Sequence, residues 1–105
     1  MKFKDRVNEL NNTVTKVEIA LSRKHKDHDE IFSANDKLID IFNDIKYEFI
    51  TGDVVIGADG KKYPTWDGDA FDEALNKQYP GLSFRLNSAM TAIEELIEAI
   101  EKGIE

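Results

Sequence analysis

Phe3, Val7, Leu10, Val14, Val17 and Leu21 follow one another in alternating steps of four and three. That spacing is a heptad stripe, the seam along which one helix packs against another. Carried forward, the same frame meets Lys24, His28, Ile31, Asn35, Leu38, Phe42, Ile45 and Phe49. No proline or glycine interrupts it, so the pattern predicts one helix over about 3–50. A straight helix of that length spans roughly 65–70 Å. It cannot bury its stripe against itself and needs a second helix from this chain or another. The polar frame positions Lys24, His28 and Asn35 are read as a bend, a register device, or the place where a packing partner ends.

Thr51-Gly52 is placed to stop that helix, with the glycine at its C-terminal cap. "DVVIGADGKKYPTW" follows. Val54, Val55 and Ile56 are β-branched, and Gly57-Ala58-Asp59-Gly60 is turn chemistry. Together they predict a small β-hairpin at about 53–64, its pairing limited by Pro64. Asp67 or Asp69 then caps a helix at about 69–79. Pro80-Gly81 breaks it. Beyond the break, Leu82, Leu86, Ala89, Ile93, Leu96 and Ile100 repeat the four-three stepping, with Met90, Ile97 and Ile104 widening the stripe, over a helix at about 82–102 ended by Gly103. The expected architecture is mainly α: residues 1–105 as one helical-hairpin domain with a β tip and a broken returning helix.

Several function classes fall away. With no cysteine, thiolate chemistry, disulfides and cysteine metal sites are excluded. Asn11-Asn12-Thr13 is a glycosylation sequon read as chance. His25, His28 and Asp29 could share a helix face, but no third and fourth ligand accompany them, so no metal is assigned. The aspartates at 53, 59, 67, 69 and 72 lack calcium-loop spacing and fit turn and capping duty. No glycine-rich phosphate motif and no serine on a strained turn is present, and no catalytic residue or cofactor is assigned.

The net charge of −7 is uneven. Residues 1–64 carry 11 basic and 12 acidic side chains; residues 65–105 carry 3 and 9. An acidic half disfavours nucleic-acid backbones. It suits solvation, or a basic groove blocked by an acidic C-terminal helix bearing Glu94, Glu95, Glu98 and Glu101. No apolar run reaches membrane-spanning length. The N-terminus has no export-signal pattern, which points to cytoplasmic synthesis and leaves open export by a machine that reads folded helices.

A long helix, a tip, Trp66-Asp67-Gly68, Phe71 one turn later and a second amphipathic helix together resemble the WXG superfamily. These are small helical-hairpin proteins of type VII secretion systems of Gram-positive bacteria. The chain departs from the simplest members: Trp66 lies past the middle, Pro80-Gly81 breaks the second helix, and no Tyr-x-x-x-Asp/Glu signal follows it. Its size and acidity look closer to the accessory proteins that accompany larger secreted toxins of these systems. The resemblance implies a targeting or chaperone-like role and a turn motif of Trp66, Gly68 and Phe71. The stripes then predict the contact with another helical chain, or with a second copy. Phe3, Val7, Leu10, Val14, Val17 and Leu21 would line one side, and Leu86, Ile93, Ile97 and Ile100 the other.

Overall fold

A computed structural model describes residues 2–103. In chain order the elements are α1 (Phe3–Ser22), α2 (His28–Tyr47), β1 (Ile50–Ile56), β2 (Lys62–Trp66), α3 (Gly68–Gln78) and α4 (Leu82–Glu101). The fold is mainly helical with a two-stranded antiparallel β-hairpin between α2 and α3, as the patterning predicts. The break at Pro80-Gly81 also lies where expected. Gly81 is left-handed (φ 84°) at the head of α4, a conformation that penalises side chains with a Cβ. The Asn76 side chain brackets this corner, donating to Ser83 Oγ and accepting from its backbone N–H at 3.0 and 3.1 Å.

The single long helix is corrected. The chain leaves α1 at Ser22, with Arg23 extended (φ −69°, ψ 142°), and re-enters a helix at His28. Frame positions 24 and 28 are polar, so between Leu21 and Ile31 no apolar anchor holds a continuous helix to a partner. Folding back buries both halves of the stripe at once. Asp27 starts the second half: its carboxylate accepts from the backbone N–H of Glu30 at 3.2 Å. Arg23 closes the loop by pairing with Glu30 at 2.6 Å. At the other end of the hairpin, Phe3 meets Phe49 and Arg6 reaches Glu48.

A second correction concerns Gly52. α2 already ends at Tyr47, its last turn closed by the Glu48 N–H on the carbonyls of Ile45 and Lys46. Gly52 (φ 90°) sits instead inside β1, where the register shifts between Ile50 and Val54. This bulge places extra β1 residues opposite β2, and Gly52 is its left-handed residue. Pro64 does not end the pairing, because the ladder resumes with Ile50 opposite Trp66.

One core joins the helices. Val7, Leu10, Val14 and Val17 of α1 are fully buried with Ile31, Leu38 and Ile45 of α2. Phe71 and Leu75 of α3, and Leu82, Leu86, Ile93 and Leu96 of α4, complete it. Most of the hairpin lies outside this core: every residue of β1 is exposed, and β2 meets the core through Trp66 at its end. The radius of gyration, 15.3 Å, exceeds the roughly 13 Å of a compact chain of this length, as a projecting arm requires.

Candidate functional site

The residues expected to meet another chain are mostly consumed by the protein's own core. Val7, Leu10, Val14, Val17, Leu86 and Ile93 are at most 1% exposed. Phe3, Leu21, Ile97 and Ile100 are half-buried and pack against the same cluster. The expectation of a stripe facing a second chain therefore gives way. It followed from a helix too long to be covered, and the turn at 23–27 removes that excess length.

The Trp66 segment is a junction. Asp67 donates its backbone N–H to the Phe49 carbonyl at 2.9 Å and caps α3 by accepting from Ala70 N–H at 3.0 Å. Trp66 stands edge-to-face with Phe71, with centroids 5.1 Å apart, and with Phe42 at 6.0 Å. Phe71 also contacts Phe42 and Phe49, and Lys46 Nζ lies 4.9 Å from the indole centroid. These geometries suit the positive edge and negative face of aromatic rings. Tryptophan as junction plate, Asp67 as cap and Phe71 as core residue match the sequence expectation. Gly68 as the turn does not. It is the first residue of α3, it is absent from the left-handed glycines, and a Cβ there would meet open space.

A polar seam that sequence reasoning missed fastens α1 to the returning chain. The Arg85 guanidinium donates to Asn11 Oδ1 (2.9 Å), Thr15 Oγ1 (3.0 Å) and both Glu18 carboxylate oxygens (2.6 and 3.2 Å). The hydrogen bond and charge of Glu18 hold the Arg85 pKa above its ordinary value against the opposing effect of burial. One turn earlier, Asn8 accepts from Gln78 at 2.7 Å and from the Tyr79 hydroxyl. Asn8, Asn11, Thr15 and Glu18 again step by three and four, beside the apolar seam. That second periodicity marks a polar face of α1 but does not name Arg85 as what meets it.

Among the described residues no three His, Asp or Glu side chains are grouped to hold a metal ion. His25 lies in the loop while His28 and Asp29 begin α2, so they share no helix face. The depressions in the surface of α4 are shallow: one of about 340 Å³ lies over Phe84, Ser88, Thr91 and Glu95. No described helix is long and apolar enough to cross a membrane.

Ile19, Ile39 and Phe84 are exposed singly on the helices, whereas the arm carries a contiguous uncovered run. Val54, Val55, Ile56 and Tyr63 are 58, 53, 71 and 45% exposed, with Tyr47 and Ile50 exposed at its base. The tip is rigidly built. Gly57 N–H donates to Lys61 O at 2.9 Å, and Asp59 accepts from Lys61 N–H at 3.0 Å and from the Tyr63 hydroxyl at 2.5 Å. The Tyr63 and Lys61 donors hold the Asp59 carboxyl below its usual value, and Asp59 in turn raises the Tyr63 phenol. At the bulge, the Thr51 and Thr65 hydroxyls bond to each other, and Thr65 Oγ1 donates to Asp53 O at 3.1 Å. The ribbon is thus hydrogen-bonded along its length while its β-branched side chains stay uncovered.

No family model, curated protein or solved structure matches the chain.

Proposed function

We propose that this is a non-enzymatic protein-binding module that engages its partner through the β-arm. The single observation that carries the reading is the exposed run Val54-Val55-Ile56 on a hydrogen-bonded ribbon, beside a body whose stripes are filled from within. An exposed strand offers main-chain groups for affinity and alternating side chains for selectivity. The expectation carried by the WXG resemblance, a helical accessory of a larger secreted protein, fits this reading with the arm rather than the stripes as contact. The acidic α4 is the second candidate surface, since Glu94, Glu95 and Glu101 are all exposed. A photo-crosslinking residue placed at Ile56, and separately at Thr91 on α4, separates the two. Adducts to a protein from position 56 and none from 91 support the arm. Adducts from 91 alone overturn it in favour of the acidic helix.

A further inference from the structure

We infer that the partner of the β1 edge is a second copy of this chain, added antiparallel about Val55 to make a four-stranded sheet. The inference rests on the arm being the contact element and names what it contacts.

The two edges of the ribbon are not alike. Gly57 bonds to Lys61, and the register pairs Val55 with Tyr63 and Val54 with Pro64. In an antiparallel ladder inward-bonding pairs alternate with outward-facing ones. Val55 and Tyr63 therefore bond inward, whereas the main-chain groups of Val54, Ile56, Lys62 and Pro64 face away from the partner strand. On β2 that outer edge is guarded: Pro64 has no N–H and Lys62 carries charge, both recognised blocks to further pairing. On β1 the bulge ends at Val54, and from Val54 to Ile56 the outer edge carries neither proline nor charge.

Charge and register select the occupant. Residues 50–66 hold Asp53, Asp59, Lys61 and Lys62 and sum to zero, so the whole net charge of −7 lies outside the arm. Two copies can approach arm to arm with the least repulsion, while a basic partner would be drawn to the body instead. About Val55, Val54 of one copy meets Ile56 of the other, twice, giving about four main-chain hydrogen bonds. Val55 faces Val55, flanked by the two Tyr63 side chains. Asp53 falls opposite Gly57 rather than its own image, in the row of the other copy's Lys61 about 10 Å away. Since β2 is guarded, each chain offers one open edge and the assembly closes at two.

Sedimentation equilibrium of the full chain over a wide concentration range tests this, with Val54→Pro beside the wild type. The substitution removes one outward N–H and no bond within the ribbon. Circular dichroism and melting of the variant establish that the helical body is intact. The expected result is wild-type mass rising from monomer toward twice that value, and at least a tenfold weaker association for Val54→Pro. A wild type that stays monomeric throughout overturns the inference, as does a dimer that Val54→Pro leaves unchanged. A monomer whose position 56 still crosslinks to a different protein overturns only the second copy; absence of both overturns the arm reading as well.

Discussion

Val14, Leu38 and Ile45 in the helical body are fully buried, whereas Val54, Val55 and Ile56 in the arm are more than half exposed. The two regions draw on the same kinds of side chain and differ in what covers them. In the body every apolar stripe finds another within the chain, at about 25 cal/mol per Å² of apolar surface removed from water. In the arm that surface stays in water, so folding alone gives no reason for it. The ribbon is held together by its turn and its threonines rather than by a core. The difference teaches where to look for function: in the part whose composition stability does not explain.

The largest expected effect breaks the comparison most directly. Phe71 is 2% exposed and touches Trp66, Phe42 and Phe49. Phe71→Ala should cost about 3–5 kcal/mol in urea unfolding, the range for a large aromatic removed from a core. Ile56→Ser, on the arm, should shift the same transition by less than about 0.5 kcal/mol. Comparable losses at the two positions would mean that arm and body are not separate in their energetics. Trp66→Ala should fall between them, roughly 2–3 kcal/mol, because the half-buried indole keeps only part of its area and its edge-to-face pairs add about 1 kcal/mol each. Unchanged melting would reduce the Trp66 segment to an ordinary loop.

A smaller effect tests the turn that closes the body. Asp27→Ala removes the α2 cap and should cost about 1 kcal/mol. Hydrogen exchange should locate the loss in the first turn of α2. A uniform loss across α1 and α2 would favour a continuous helix over a capped one.

This turn also marks the limit of what could be read beforehand. The stripe positions were legible because burial follows periodicity: Val7 through Leu96 lie inside as their spacing requires. The frame stayed in register across a five-residue loop, however, so continuity of pattern passed for continuity of helix. The signal against it was present in Asp27-x-x-Glu30 before Ile31, a helix-start signature. Arg85 was illegible for a different reason. Its partners Asn11, Thr15 and Glu18 lie some 70 residues away, and nothing local names them. The exposure of the arm was equally hidden. β-Branched residues predict a strand, but whether a neighbour covers it is a property of the assembled body.

Gly68 separates a motif's letters from their physics, with a change of at most about 1 kcal/mol. It starts α3 without a left-handed backbone, and a Cβ there meets nothing within 4 Å. Gly68→Ala should leave stability unchanged or raise it by up to about 1 kcal/mol, through the unfolded state. A clear loss in thermal melting would restore a turn role to the glycine and strengthen the Trp-x-Gly likeness.

The smallest effect is confined to the arm and sharpens the comparison furthest. Tyr63 donates to Asp59 at 2.5 Å, which lowers the carboxyl from its ordinary 3.8 and raises the phenol from 10.0. The signs give two opposite limits. The depressed carboxyl contributes to the turn above its unfolded value, and that contribution is lost as pH falls through the lowered pKa. The raised phenol contributes below 10.0 and is lost as pH rises through its folded value. NMR of ring-labelled tyrosine should therefore show Tyr63 titrating above 10.0, and Asp59→Ala should bring it down toward that value. Melting of the helical body should not move with the substitution, because both groups are solvent-exposed and touch no core residue through this bond. If body and phenol shift together, the arm is coupled to the core and its exposed surface has a folding role after all. If only the phenol shifts, the arm is an independent element whose apolar face is left for a partner to cover.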